Sequence, residues 1–432
     1  MELNVEIPKR LRAQEKDRYM NYLRRGGLMM VQLEMEFDRR LDTERLAKAV
    51  DLVMDAEPVL GCRLVRGWWR PHWERLDNDK RNSLTVASSE SEYESFKYNV
   101  IDAFVGPQIA VCLLRAEGGD RLLLKVAHEV SDAVAVRDIM SVMSSIYNRL
   151  AQESDYKPEP NLRGSRSTWQ VFRYVPWYNY PRIYLNFYIK WANNMIPLKT
   201  FRLPVGKGKA EGLSFICRFI SADRVARLKE YGRARDATLN DIILAAYFRA
   251  LASVGKWDGR SQLRLILMVD IRRYRPDNRG EGICNLTGTE PFDYGDKLSG
   301  DFDATLKRVS AIMKRRKANW IGLSDCAGLA PFASLLPYSV LERTLTPLVN
   351  MSIKIGNGPD VITNMGIIDE NGVVFDVKPV RARFIPPVNY PPHIVFSISS
   401  YSSGMDLCAG VWAFQNEQVE RLFAEMLELL PE

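Results

Sequence analysis

Two residues in the stretch from Lys125 to Ala133 could do chemistry, His128 and Asp132. Apolar runs joined by a glycine turn precede them and predict a β-hairpin over residues 108–126. Apolar residues at helical spacing follow them and predict a helix that ends near Leu150. His128 is therefore expected in a short connection between a strand and a helix, where α/β folds usually place reactive side chains.

An imidazole at such a position could take up or release a proton near neutral pH. A structural role would also explain both side chains. His128 could bridge the strand and the helix by hydrogen bonds, and Asp132 could cap the helix start and complement its dipole. Since His-x-x-x-Asp occurs by chance in many chains, the spacing alone leaves both interpretations open.

The other histidines and the cysteines offer less. His72 lies in an aromatic stretch and is expected to be a strand or turn residue, and His393 follows two prolines and is expected to be structural. The cysteines, at positions 62, 112, 217, 284, 326 and 408, show no Cys-x-x-Cys spacing. We therefore expect neither a metal site nor a disulfide framework.

Length, composition and charge narrow the class of protein. A chain of 432 residues with 46% hydrophobic content can bury two sizeable cores. The net charge of +7 is too dispersed to indicate a nucleic-acid partner. We interpret the basic run Lys314–Lys317 as a solvated helix end.

The sequence also bears on location. Its first 25 residues are charged and do not resemble a signal peptide, and no apolar run is long enough to predict a membrane-spanning helix. We expect a cytoplasmic monomer.

The stretch around His128 resembles the His-His-x-x-x-Asp-Gly motif of the CoA-dependent acyltransferase superfamily. Its members include peptide-synthetase condensation domains, alcohol acetyltransferases, plant His-x-x-x-Asp acyltransferases and wax-ester synthases. Two positions depart from the motif: Ala127 stands where many members have the first histidine, and Ala133 where most have glycine. The second histidine, on which the family relies for catalysis, is retained as His128.

Further segments resemble the superfamily in the same order along the chain. They are a helix and strand within residues 41–60, a helix start at Asp236–Asp241, a strand ending in arginine at Leu265–Arg272, the pair Cys284–Asn285, an Asn-x-Gly strand at Thr363–Gly366, and a strand pair at Ser400–Tyr401 and Met405–Leu407. The resemblance thus runs over nearly the whole chain.

The resemblance implies an α/β (α+β) fold in which two chloramphenicol-acetyltransferase-like halves form a pseudo-dimer with a tunnel between them. Residues 1–155 would form the half that carries the His-x-x-x-Asp motif, and residues 210–432 the other half. Residues 156–209 would be an aromatic and basic crossover.

This crossover mixes aromatic residues with arginines, which suits a membrane interface or the mouth of a lipophilic tunnel. A helix packed on the protein surface through its aromatic face is the alternative. Pro176 and Pro181 would interrupt any single long helix there.

The resemblance also implies roles for individual residues. His128 would be the general base in acyl transfer from a CoA thioester to an alcohol, with no covalent acyl-enzyme. Asp132 and Arg272 would pair and shape the loop that aims His128. The candidates for binding the oxyanion or substrate are Asn285, Thr363 and Asn364.

No bound cofactor or metal is expected, and acyl-CoA or an acyl-carrier protein would be the co-substrate. The modest positive charge would suit the phosphates of CoA or an acidic carrier protein. The acceptor would be a small or lipophilic molecule, and peripheral membrane contact fits the crossover.

Two alternatives remain. One is a free-standing condensation enzyme that forms an amide or ester from a carrier-protein thioester. The other is a non-catalytic binding homologue, motivated by Ala127 and Ala133 and opposed by the retained His128.

Overall fold

The computed structural model describes residues 6–81, 83–195, 199–206, 208–298, 300–355 and 359–432. Its strands are β1 Arg10–Arg12, β2 Gly27–Leu28, β3 Met30–Glu36, β4 Cys62–Val65, β5 His72–Arg75, β6 Leu84–Ala87, β7 Ile109–Ala116, β8 Gly119–Ala127, β9 Thr200–Phe201, β10 Ser214–Ser221, β11 Gln262–Asp270, β12 Thr287–Gly295, β13 Asp360–Ile367, β14 Arg381–Ile385, β15 Val388–Asn389, β16 Val395–Tyr401 and β17 Gly404–Val411. Its α-helices are α1 Glu15–Leu23, α2 Thr43–Ala56, α3 Glu90–Tyr98, α4 Ala133–Leu150, α5 Trp169–Phe172, α6 Tyr180–Met195, α7 Ala222–Arg233, α8 Leu239–Val254, α9 Phe302–Lys317, α10 Leu323–Leu335, α11 Tyr338–Ile355 and α12 Asn416–Leu429.

A five-stranded sheet in the order β14-β3-β8-β7-β6 carries the His-x-x-x-Asp motif. The predicted hairpin is present as β7 and β8, which pair from Ile109 and Val126 down to a tight turn at Gly119. Gly119 has a φ of +145°, and a Cβ there would overlap the carbonyl oxygen of Phe37. Glycine is therefore required where this turn meets the neighbouring strand.

The predicted helix after the motif is α4, whose buried face includes Val136, Ile139, Met140 and Met143. It packs on β3, β8 and α2, and it also touches β13 of the second sheet. The helix that begins at the motif therefore contacts both sheets.

The second sheet has the path β10-β17-β16-β13-β11-β12, with β9 paired to β11 beside it. Helix α8, which starts after a capping box between Thr238 and Asp241, packs against α9 and α12. Its buried residues share one core with those of β11 and β16. The chain thus builds a separate hydrophobic core on each of its two large sheets.

One strand from late in the chain belongs to the first sheet. β14 pairs antiparallel with β3, so that Arg383 lies opposite Glu34. The buried Glu34 carboxylate accepts a 2.6 Å hydrogen bond from the Arg383 guanidinium and lies 2.8 Å from the Lys97 ammonium. The pairing of β14 with β3 joins the C-terminal part of the chain to the N-terminal sheet. The division of the chain into two halves at residues 155 and 210 stays a prediction.

Three local features differ from or refine the sequence-based expectations. Residues Pro58–Gly61 form a 3-10 turn and the strand starts only at Cys62, because proline at the start of the turn favours a helical φ. A disulfide joins Cys217 to Cys408, which are opposite each other on β10 and β17. α6 tolerates Pro181 because this residue lies in its first turn.

No helix in the described ranges is long and apolar enough to cross a membrane.

The Glu34 cluster predicts how stability depends on pH. Burial opposes ionisation of Glu34, but Arg383 and Lys97 outweigh it and lower the pKa of this carboxyl from 4.5 to about 2. A lowered carboxyl pKa stabilises the fold above pH 4.5, and this contribution disappears as the pH falls towards 2. Glu34→Gln should therefore lower the free energy of unfolding at pH 7 by about 3 kcal/mol or more and flatten its decline below pH 4.5.

Urea unfolding followed by circular dichroism measures both effects. Glu36→Gln is the matched control, because Glu36 lies on the same strand but is partly exposed and is 4.0 Å from Arg383. Equal losses in the two variants would contradict the assigned role of the buried cluster.

Candidate functional site

A cavity of about 330 Å³ is lined by residues of both large sheets and of helix α1. Its apolar lining includes Met20, Leu23, Met29, Val31, Val134, Met268, Val361, Met365, Pro387 and Val395. Its polar lining is His128, Asp132, Asp270, Thr287, Thr363, Asn364, Asn389 and His393. The cavity is therefore mostly apolar, with a few polar groups, as is usual for small-molecule sites.

His128 follows the last residue of β8, and its backbone N–H donates to the Met29 carbonyl oxygen over 3.1 Å. Its ring Nδ1 lies 2.7 Å from the carbonyl oxygen of Ser131. Because a carbonyl oxygen can only accept, Nδ1 must carry the proton, and in the neutral ring Nε2 then has a free lone pair. The loop therefore fixes both the ring and its tautomer.

The electrostatics around His128 favour the neutral ring. Burial lowers the pKa of His128 below 6.5, and the nearby Lys16 ammonium acts in the same direction. The Ser131 hydrogen bond and the Asp132 carboxylate oppose this shift only in part. At neutral pH the imidazole is therefore mostly available as a base.

Asp132 is the N-cap of α4, and its Oδ1 accepts a 2.9 Å hydrogen bond from the Ala135 amide. Its Oδ2 accepts from the Arg272 guanidinium at 2.8 Å, from the Leu286 amide at 2.7 Å and from the Thr287 hydroxyl at 3.2 Å. Burial would raise the pKa of Asp132, but Arg272 and these donors lower it below its ordinary value. With both oxygens engaged, this carboxylate is an anion that holds the loop and is poorly suited to proton transfer.

Arg272 is the partner of Asp132 from the second half of the chain, in the turn after β11. Its guanidinium also lies 3.0 Å from Asp270 and donates to the Cys284 carbonyl oxygen over 2.9 Å. Only 1% of its side chain is exposed. Three separate segments are therefore clamped by one buried cation directly beside the His128 loop.

The structure brings only part of the predicted oxyanion set into the cavity. Thr363 and Asn364, in the middle of β13, line it. The Asn364 Oδ1 accepts from the Gly366 amide at 2.9 Å, which holds that side chain in place. Asn285 is buried behind the loop, where its Nδ2 lies 3.5 Å from the His128 carbonyl oxygen and its Oδ1 accepts from Thr287. Asn285 is thus placed to support the loop and does not line the cavity.

Four polar lining residues were missed by sequence reasoning: Asp270, Thr287, Asn389 and His393. Thr287 follows the predicted Asn285 by two positions, so the motif could have indicated it. Asn389 and His393 lie around β15 and the start of β16, where no local pattern marks a site. His393, expected to be structural, lies on the wall of the same cavity as His128.

The two departures from the motif have structural explanations. Ala127 is fully buried in the first core, where a histidine at this position would require space and a polar partner. Ala133 is the first residue of α4 and does not adopt a positive φ, so the backbone here does not need glycine.

Cys284, which follows the arginine turn, could in principle act as a nucleophile. It is fully buried, and burial raises the pKa of its thiol to about 12. The thiol is therefore protonated at neutral pH and is a poor nucleophile.

Solved structures of other proteins share this architecture. The first condensation domain of the calcium-dependent antibiotic synthetase, in complex with a substrate analogue, matches with a TM-score of 0.71 and 15% identity over 98% of this chain and 96% of that one. Trichothecene 15-O-acetyltransferase from Fusarium sporotrichioides matches with a TM-score of 0.70 and 12% identity over 98% and 95%. Polyketide synthase associated protein 5 from Mycobacterium tuberculosis matches with a TM-score of 0.67 and 14% identity over 96% of both chains.

No family model matches the sequence, and no curated protein does so either. The structural matches nevertheless cover almost the whole of both chains. Because the sequence identities are all under 25%, these matches establish the fold alone. The chain therefore has the fold of the condensation domain and the acetyltransferase that it matches.

Proposed function

We propose that this protein transfers an acyl group from a CoA thioester to an alcohol, with His128 as the general base. The observation that carries the proposal is the fixed tautomer of His128. Its Nδ1 donates to Ser131, which leaves a basic Nε2 on a ring that lines an apolar cavity. The Ser131 contact at Nδ1 is the side-chain hydrogen bond that the described residues give this ring, so Nε2 is open to a bound substrate on the cavity side.

The chemistry needs one base and no covalent intermediate. Nε2 takes the proton of the acceptor hydroxyl while its oxygen forms a bond to the thioester carbonyl carbon. The tetrahedral intermediate then collapses, the carbon–sulfur bond breaks, and the imidazolium returns the proton to the leaving thiolate. No cysteine or Gly-x-Ser-x-Gly serine is required, and the buried thiol of Cys284 is unsuited to the task.

The negative charge that develops on the carbonyl oxygen must be stabilised by hydrogen-bond donors. Thr363 and Asn364 are our candidates, because they lie in the middle of β13 on the wall of the cavity that His128 also lines. The Thr287 hydroxyl is engaged by Asp132, so it serves the loop first.

The cavity lining favours lipophilic substrates. Most of the lining is apolar, and four of the lining side chains are methionines. Methionine side chains adapt to irregular apolar shapes, so this lining suits an alkyl or acyl chain better than a charged group. We further propose that the cavity is part of a tunnel between the two halves, through which donor and acceptor reach His128 from different sides.

The first test is His128→Ala, assayed by free thiol released from acyl-CoA in the presence of a panel of alcohols. Loss of a general base should lower kcat by about 100-fold or more without unfolding the protein. His72→Ala is the matched control, because His72 lies in β5 of a separate small sheet and should leave kcat unchanged. Full activity in a folded His128→Ala protein would refute the mechanism, and activity only with carrier-protein thioesters would favour a condensation enzyme.

The second test is Asp132→Asn, which keeps the shape of the side chain. Both carboxylate oxygens accept hydrogen bonds, so an amide must turn its NH2 group towards a donor whichever way it is oriented. We expect the free energy of unfolding to fall by about 3 kcal/mol or more, because a buried ion pair is broken, and kcat to fall with it. Urea unfolding and steady-state kinetics measure the two effects.

A purely structural role for Asp132 would not change the pH profile. Since burial lowers the pKa of His128 and the Asp132 charge raises it, activity in the wild type should decline only below pH 6.5, and in Asp132→Asn at a still lower pH. An unchanged profile in the variant would mean that Asp132 does not act through His128.

A further inference from the structure

We propose that α6 and the segment before it dock this protein onto membranes that contain anionic phospholipids. The surface concerned, here called the aromatic surface, consists of Trp169, Trp177, Tyr178, Tyr184, Leu185 and Tyr188. All six side chains are exposed to solvent, and Trp177 is 79% exposed. Ordinary protein surfaces expose apolar residues singly, whereas this segment exposes several aromatic residues close together in the sequence.

The charge of the segment is one-sided. Residues 160–210 contain nine lysines and arginines and no aspartate or glutamate. They also contain eleven aromatic residues. Aromatic side chains at the level of the headgroups, flanked by cations, are the combination that binds the surface of an anionic bilayer.

The inner face of α6 is fixed to the protein, which leaves the outer face without an internal role. Ile183 is fully buried in a core that it shares with Val171 and Leu323. The ring of Phe187 occupies the space where a Cβ on Gly328 of α10 would stand. The Lys190 ammonium donates to Ser324 over 2.6 Å and pairs with the buried Glu290.

A cationic pocket of about 250 Å³ flanks the aromatic surface on the side of Asn186 and Ile189. Its basic residues are Lys190, Arg264, Arg315 and Arg316, against Glu290 and Asp293. Glu290 pairs with Lys190 and Arg316, and Asp293 with Arg264. Arg315 is exposed and forms no ion pair with a described residue, so the pocket has an excess positive charge that fits a lipid phosphate.

Charge and shape favour a bilayer over other occupants. A second copy of this chain would present the same cations, so two such surfaces would repel each other. An acidic carrier protein would pair with the cations but would not need a row of exposed aromatic side chains. A bilayer with anionic headgroups accepts both features at once.

The surface also connects to the cavity through packed helices. α6 packs on α10, and α10 packs on α1, whose Met20 and Leu23 line the cavity. Docking through α6 would bring the cavity close to the membrane as the source of a lipophilic acceptor. Binding itself does not depend on the proposed chemistry, and His128→Ala should bind vesicles as well as the wild type does.

The experiment is sedimentation of the full chain with vesicles of phosphatidylcholine, alone or with phosphatidylglycerol. The wild type should bind the anionic vesicles, and added salt should weaken this binding because the headgroup charge is screened. Trp177→Ser combined with Tyr188→Ser should weaken binding about ten-fold or more, since affinity follows the apolar area buried in the interface. Arg315→Glu should weaken binding to the anionic vesicles.

Trp68→Ser is the matched control, because Trp68 is 71% exposed but lies outside the segment. It should bind vesicles as the wild type does, and all variants should keep the wild-type rate on short, soluble substrates. A lack of wild-type binding, equal binding to neutral vesicles, or equal losses in the control would overturn the proposal. Two other outcomes would also overturn it. In the first, the Trp177 and Tyr188 changes abolish self-association of the protein but leave vesicle binding intact. In the second, they abolish binding of an acidic carrier protein but leave vesicle binding intact.

Discussion

The buried pair between Asp132 and Arg272 is the interaction on which the site depends. Asp132 ends the loop that follows the first sheet and starts α4, whereas Arg272 comes from the turn that ends β11 of the second sheet. Burying two charges is costly, and additional hydrogen bonds are needed to offset the cost. Here the Leu286 amide and the Thr287 hydroxyl donate to Asp132 and the Cys284 carbonyl accepts from Arg272, although the Nε of Arg272 has no partner among the described residues. The pair therefore fixes the two large sheets relative to each other at the position of His128.

In the proposed mechanism, this arrangement explains why one histidine suffices. The loop that Asp132 holds also presents the Ser131 carbonyl to Nδ1, so the tautomer of His128 depends on the same clamp. Burial then keeps the ring neutral, and the carboxylate of Asp132 limits how far its pKa falls. Away from His128, β14 pairs with β3 of the first sheet, and its Phe384 packs in the first core, which joins the C-terminal part of the chain to that sheet. The position and the basicity of His128 are thus consequences of packing between the two sheets.

Local patterns made part of this structure predictable. The β7–β8 hairpin and α4 follow from alternating and helical spacing next to a glycine turn, and His128 falls at their junction as expected. The membership of β14 in the first sheet was not predictable, because its partner β3 is far away in the sequence. α10 was missed because its apolar residues show no helical period, and His393 because its place on the cavity wall depends on tertiary folding. Roles assigned by resemblance, including those of Thr363 and Asn364, remain predictions.

The central claim is that the fold holds His128 as a neutral base with the proton on Nδ1. Nitrogen-15 NMR of the histidine side chains tests it most directly, with the signals assigned by comparison with His128→Ala. At pH 7 the account predicts a neutral His128 ring protonated at Nδ1 and titrating below pH 6.5. A ring protonated at Nε2, or one that is still an imidazolium at pH 7, would contradict it.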